Sequence, residues 1–333
     1  MRSKKGKRIA ITALRDRLNG GFAHAAIMAR MELAELHVHL EGSIEPETLR
    51  EIDPTLTEEE IAANTTYSDF AGFIASYVWV NRKLRTPEHY AIAARRLFEN
   101  LEAQQVVYAE VTLSAGVVLW KQQDLAAVFD ALAREAARAP LTVRWILDAT
   151  RQWGVDAARP VFEFAAARQS EGVVAIGLGG FEEQGPEKWF RDLYLQARER
   201  GLRLTCHAGE TSGPESIWDA LEIGSERIGH GIRAVEDLRL MEYLRERKIP
   251  LEVCITSNVR TGAAPSLEQH PIRKLFDAGV PIILNTDDPA LFGCTLRSEY
   301  ELAARKFGLP ASELAANAFR YAFRPRMHTE EHG

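Results

Sequence analysis

The chain predicts an α/β fold, a closed (β/α)8 barrel of the TIM type with a helical insertion after its first strand, and three observations carry that expectation. Eight β-type runs recur along it, amphipathic helix-like sequence separates most neighbouring runs, and no Gly/Ser- or Pro-rich linker divides them. At 333 residues and 46% hydrophobic content the chain can bury a large core, and a typical barrel of this kind takes about 250 residues. An open doubly wound sheet is the runner-up, weakened because no Gly-x-Gly-x-x-Gly follows the first strand.

Charge is unevenly spread. Residues 1–30 carry eight Lys or Arg against Asp16 alone, a net +7, and the rest of the chain carries −13. The first segment therefore reads as a poorly ordered basic extension, with Met31 an alternative start, and residues 31–333 as the barrel; the apolar run Ile9–Leu14 is too short for a secretory core. The acidic remainder argues against a nucleic-acid surface, and no apolar run approaches the roughly 20 residues that span a bilayer. Cys206, Cys254 and Cys294 are too few for a disulfide framework and form no Cys-x-x-Cys. A reducing cytoplasm is the natural reading, and a Cys-ligated zinc deaminase site is excluded.

Taken in order, the first strand, Leu33–His39, ends in His37-Val38-His39-Leu40-Glu41-Gly42. Residues i and i+2 of a strand share a face, so two imidazoles there can hold one cation, and Gly42 is expected to let the chain turn away at positive φ. From Pro46 to Gln104 lies an insertion long enough for several helices. Its aromatic stripe, Asp69-Phe70-Ala71-Gly72-Phe73 and Tyr77-Val78-Trp79-Val80, reads first as a helix packed on the barrel and second as a lid over an aromatic substrate. Strands two to four are expected at Val106–Leu113, Leu141–Asp148 and Val173–Leu178. The last is followed by Gly179-Gly180, which lacks the lysine and hydroxyl of a phosphate loop. Strands five to eight are expected at Arg203–His207, Arg227–Gly229, Pro250–Cys254 and Pro281–Asn285.

Polar residues follow these last strands: His207-Ala208-Gly209-Glu210, His230-Gly231, Ser257-Asn258 and Thr286-Asp287-Asp288-Pro289. A parallel barrel gathers the C-terminal ends of its strands on one face, so His37, His39, His207, His230, Asp287 and Asp288 should meet there. Three imidazoles and a carboxylate suit Zn²⁺, one per chain, and Fe²⁺ or Co²⁺ would accept the same donors. Such a cation lowers the pKa of a bound water towards about 7 and supplies hydroxide at neutral pH. Glu210 is then a candidate proton donor to the substrate, His230 a group that accepts a proton from that water or orients it, and Asp288 a hydrogen-bonding partner.

Six motifs in this order, His-Val-His-Leu-Glu-Gly-Ser (37–43), Gly-Gly (179–180), His-Ala-Gly-Glu (207–210), Ile-Gly-His-Gly (228–231), Thr-Ser-Asn (256–258) and Asn-Thr-Asp-Asp-Pro (285–289), resemble the adenosine and adenine deaminase family of metal-dependent amidohydrolases. The resemblance runs from about Glu35 to Leu302. It implies His37, His39, His207 and Asp287 as zinc ligands, and Glu210, His230 and Asp288 as catalytic groups. Glu210 would protonate N1 of a 6-aminopurine, His230 would act on the hydroxide, Asp288 would contact N7 and the Gly180 N–H would meet N3, with His39 and Glu41 also against the substrate. Hydroxide adds to C6 and ammonia leaves. A second metal is not implied, since no Lys stands at the end of strand four.

The partner implied is a small purine nucleoside, with adenosine the default. Many adenosine-specific members carry Asp where this chain has Glu41, near the ribose 5′-hydroxyl, and the Cys254 to Thr261 run resembles bacterial nucleoside deaminases more than adenine deaminases. 6-Aminodeoxyfutalosine, an adenine nucleoside with a benzoate at its 5′ end, is therefore a competitor, and adenine a third reading. A benzoate calls for a cation, for which Arg151, Arg260 and Arg297 are the candidates, although each taken singly reads first as a surface or structural arginine. Outside deamination stand another amidohydrolase reaction and a non-catalytic binding protein on the same scaffold.

Overall fold

Every side chain of the first strand, β1 (Leu33–His39), is buried, as expected of a parallel strand covered on both faces. In a computed structural model that describes residues 31–323, seven further strands follow: β2 (Val106–Leu113), β3 (Thr142–Thr150), β4 (Val173–Gly179), β5 (Arg203–Ala208), β6 (Arg227–His230), β7 (Leu251–Val253) and β8 (Ile282–Leu284). Each pairs in parallel with the next, in the order β1 to β8. Beyond β8, Asp287 bridges back to Val38: the Asp287 N–H donates to the His37 carbonyl at 2.9 Å and the His39 N–H to the Asp287 carbonyl at 2.8 Å. Eight strands and this bridge make the (β/α)8 barrel, with helices such as Leu125–Ala136, Gly154–Ala167 and Leu238–Arg247 in the crossovers. The expected extension of residues 1–30 lies outside the described residues.

Strand boundaries depart from expectation where the backbone chemistry changes. β7 and β8 begin one residue late because Pro250 and Pro281 have no N–H to donate; they contribute only carbonyls, which accept the N–H groups of Ile228 and Leu251. Just past β8, the Asn285 N–H still donates to the Val253 carbonyl at 3.1 Å, and its side chain accepts the Leu36 N–H at 2.9 Å.

The insertion forms four helices, α1 (Pro46–Ile52), α2 (Glu58–Thr65), α3 (Phe70–Asn81) and α4 (Pro87–Ala103). Their starts are set locally: Pro46 and Pro87 occupy first-turn positions, while Thr57 and Asp69 accept backbone N–H groups of Glu60 and Gly72. A short helix, α5 (Ala115–Trp120), follows β2. Lys121 just beyond it donates to the carbonyls of Asn81 (2.8 Å) and Leu84 (2.7 Å), tying the insertion to the barrel. Among the described residues no helix is long and apolar enough to cross a membrane.

Trp145 of β3 is fully buried between Phe98 of α4 and Phe129, at ring-centroid distances of 6.2 and 6.0 Å. Trp145→Ala should cost about 3–5 kcal/mol of stability, read from urea unfolding; a loss below about 1 kcal/mol would show that the insertion is not docked through this ring.

Candidate active site

β1 delivers His37 and His39 to one end of the barrel, both buried. The His37 Nδ1 lies 2.7 Å from a carboxylate oxygen of Glu252 on β7, and its Nε2, buried and without a hydrogen-bond partner, faces Asp287 Oδ1 at 3.5 Å. His39 Nε2 approaches the same oxygen at 3.3 Å. The His207 ring centroid is 4.6 Å from that of His37, and His230 is 5.1 Å from both. Two overlapping donor sets result, His37 with His39 and Asp287, and His37 with His207 and His230, each drawn within 4.8 Å. The imidazoles and carboxylate picked out in the sequence do converge.

These residues fit a metal. One His37 nitrogen is fixed by a carboxylate while the other is aimed, unpartnered, into the cluster, the usual arrangement of a metal-binding imidazole. Burial pushes His39 and His230 down to about 4 and His207 well below its ordinary value, so all three stay neutral, and His39 and His207 are left able to donate a lone pair. His37 goes the other way: against burial, Asp287 and Glu252 hold it well up, so positive charge is favoured at its Nε2, as a proton or as a divalent cation. Asp287 remains ionised despite burial because of the imidazoles around it, and it accepts a hydrogen bond from Ser257 at 2.6 Å.

Around this cluster two other carboxyls have their neutral forms favoured. Burial, then the Asp287 and Glu182 carboxylates, push Glu210 well above its usual range; burial and adjacent Asp287 do the same to Asp288. Glu210 is held by its backbone. Glu182 accepts the N–H groups of Gly209 (2.8 Å), Glu210 (2.9 Å) and Thr211 (2.8 Å) and the Ser216 hydroxyl (2.6 Å). His230 is held by a chain that starts at a backbone donor. The Ile272 N–H donates to His270 Nδ1, leaving His270 Nε2–H to donate to Asn258 Oδ1 (3.2 Å); the Asn258 amide then donates to His230 Nδ1 (3.1 Å). The His230 proton therefore sits on Nε2, which lies 3.5 Å from Glu210.

A cleft of about 940 Å³, open mouth included, leads to the cluster. His39, His207, Glu210, His230, Asp287 and Asp288 line its floor, with Gly180 on one wall. Helix α3 covers it with Phe70, Phe73, Ile74 and Tyr77, so the stripe that read first as packing also faces the cleft, while Phe73 stacks on Phe292 at 4.9 Å. Gly42 corrects an expectation. It is absent from the positive-φ residues, and glycine is needed because a Cβ there would fall 1.7 Å from Asp288 Oδ1.

Glu41 is fully buried and does not line the cleft. It accepts the Ser114 N–H at 3.0 Å, and Ser114, which does line the cleft, pairs through its hydroxyl with Tyr77 at 2.7 Å. The three arginines take the structural roles that are their first reading and not that of a benzoate partner. Arg151 is fully buried, donating to Glu187 (2.7 Å) and to the carbonyls of Leu178 and His207, so it holds the wall rather than a ligand. Arg297 donates to Gln104 and Gln105, Arg260 lies over the Tyr67 ring at 5.1 Å, and neither lines the cleft. Sequence reasoning passed over Glu252, Glu182 and Asp148. Asp148 is buried in the cleft wall, its pKa pushed up to about 7 by burial.

Fold and site together define a metal-dependent aminohydrolase. The family model "Adenosine deaminase" matches residues 33–331, and the chain belongs to that family of hydrolytic deaminases. It is 39% identical over 319 residues to the aminodeoxyfutalosine deaminase of Streptomyces avermitilis, covering 91% of this chain and 88% of that one. To the adenosine deaminase of Edwardsiella ictaluri it is 35% identical, covering 86% and 91%. An amidohydrolase from Burkholderia ambifaria solved with bound Zn superposes with a TM-score of 0.83 at 27% identity, covering 91% and 88%.

Glu252→Gln should lower metal affinity ten- to a hundredfold through loss of His37 orientation, measured by chelator competition on protein whose circular dichroism is unchanged. Undiminished affinity would remove Glu252 from the site.

Proposed function

We propose that the enzyme hydrolyses the 6-amino group of a 6-aminopurine nucleoside, with adenosine the reference substrate, giving the 6-oxopurine nucleoside and ammonia. One observation supports this above the rest: a buried carboxyl, Glu210, whose pKa burial pushes well up, stands beside a His/Asp metal cluster at the floor of a cleft. His37, His39, His207 and Asp287 are the ligands in this reading, and zinc the metal, with Fe²⁺ or Co²⁺ able to use the same donors. The cation's contribution is to acidify water, so that hydroxide is available at neutral pH.

This chain's residues do the rest. Addition at C6 destroys ring aromaticity unless N1 gains a proton, and Glu210 carries that proton. Asp288, also protonated, donates to N7, an acceptor, and the Gly180 N–H donates to N3. His230, with its proton on Nε2, orients the attacking water by donating to it. The C6–N bond then breaks as the proton of the new C6 hydroxyl passes to the amine, which leaves as ammonia, so that C6 becomes the carbonyl of the 6-oxopurine and N1 keeps the proton from Glu210. No Lys or Arg is among the described residues lining the cleft, which favours a nucleoside over a nucleotide, whose phosphate calls for cations.

Glu210→Gln should keep the metal and lose at least about a hundredfold in turnover; near-wild-type turnover would remove Glu210 as the acid. Its raised pKa sets the direction of the pH profile: the protonated form is lost as pH rises through that pKa, so kcat/KM falls on the alkaline side. Substrate choice is tested by kcat/KM for adenosine, adenine and 6-aminodeoxyfutalosine on one preparation, with either nucleoside expected to exceed adenine. Equal or better use of adenine would overturn the nucleoside reading.

A further inference from the structure

The wall that carries Gly180 also carries a carboxamide. Gln152, in the turn Arg151–Trp153, is partly buried and lines the cleft beside Gly180 and Phe181. Its Oε1 accepts the Phe181 N–H at 3.1 Å, which fixes the sense of the amide, with the oxygen turned to the backbone and Nε2 turned away from it. Nε2 donates to none of the described residues. Gly180 is glycine because of this side chain. At its φ of 98° a Cβ would fall 2.2 Å from Gln152 Oε1 and 3.3 Å from Nε2, so only the bare backbone lets the carboxamide lie against the Gly180 peptide. The turn itself is firmly mounted, since the buried Arg151 donates to Glu187 and to the Leu178 carbonyl. Two N–H donors, that of Gly180 and the Gln152 amide, thus stand side by side on one wall.

We propose that the Gln152 amide donates to the 2′-hydroxyl of the nucleoside and makes the enzyme select ribonucleosides over 2′-deoxyribonucleosides. The inference rests on the nucleoside reading above, in which the Gly180 N–H meets N3. With the base in the ordinary anti orientation, N3 and the 2′-hydroxyl lie on the same edge of a purine nucleoside, the edge that faces the minor groove of a duplex. Two adjacent acceptors therefore meet two adjacent donors. The 3′- and 5′-hydroxyls lie farther from N3, so this amide reads the 2′ position.

A Gln152 that only held Phe181 and the Gly180 wall would affect every purine nucleoside alike, so the test is a ratio. Ammonia release is followed from adenosine, 2′-deoxyadenosine and 3′-deoxyadenosine with wild type, Gln152→Met, which keeps the bulk of the side chain, and Gln152→Ala. One hydrogen bond to a neutral hydroxyl confers roughly two- to tenfold, so wild type should favour adenosine over 2′-deoxyadenosine about fivefold in kcat/KM. Both variants should bring that ratio close to one by losing turnover of adenosine and keeping that of 2′-deoxyadenosine, while the ratio of adenosine to 3′-deoxyadenosine keeps its wild-type value.

Melting temperatures check the fold of the variants. A wild-type 2′ ratio near one, a 2′ ratio that both variants leave unchanged, or a collapse of the 3′ ratio instead overturns the inference and leaves nucleoside deamination standing. Folded variants inactive on every nucleoside overturn it too, because a contact to one hydroxyl does not carry the whole reaction. No ammonia from any of the three with wild type overturns the adenosine reading beneath it as well.

Discussion

Closure of the barrel is the constraint on which the site depends. β8 is only three residues long, and the seam is completed by Asp287, whose N–H and carbonyl pair with the backbone on either side of Val38. That pairing places the Asp287 carboxylate between the two β1 imidazoles. To make it, Asp287 adopts φ 68°, and His230 at the end of β6 adopts φ 59°. For residues other than glycine such conformations cost about 1–3 kcal/mol each. Further seam contacts, Leu36 N–H to Asn285 and the Thr286 hydroxyl to Glu35 at 2.9 Å, hold the strained segment in place.

Below the imidazoles a buried ionic chain fixes their orientation. Arg227 donates to Glu110 at 2.6 Å and Glu252 at 2.5 Å, and Glu252 in turn meets His37. Phe323 closes the chain from beneath, its ring 3.6 Å from the Arg227 guanidinium. Buried ion pairs of this kind add little net stability, because desolvation offsets their attraction, but breaking one side leaves an unpaired charge. Their effect here is geometric: Glu252 stays ionised, its pKa held down to about 2 against burial by Arg227 and His37, and can direct one imidazole nitrogen at the cluster.

The barrel and the converging residues were legible in the sequence because each depends on local signals. Strand runs buried on both faces are mostly apolar, and polar residues just past their ends stand out against them. Glu252, Glu110, Arg227 and Asp148 lie inside those runs, where a charge is itself anomalous; that anomaly was a usable signal and passed unread. Arg151 was open between a structural role and a ligand contact for a different reason. Glu187 and the His207 carbonyl, which engage it, are 36 and 56 residues away in the chain, and burial at the end of β3 cannot be inferred from its neighbours. Likewise Gly42 answers a contact with Asp288 made only on folding, not a local turn.

Three carboxyls of the cleft floor, Asp287, Asp288 and Glu210, share one small volume, and their division into one anion and two acids follows from position. Like charges this close cannot all ionise in a buried site. Asp287 faces the imidazoles and keeps the charge; Asp288 and Glu210 face Asp287 and keep their protons. A cation held by the imidazoles would reinforce the first part of this division by fixing Asp287 as an anion. The same set of groups thus provides a carboxylate where a ligand is needed and two hydrogen-bond donors where a purine presents acceptors. His230 belongs to the donor side as well, since the chain from Ile272 through His270 and Asn258 leaves its proton on the nitrogen that faces the cleft.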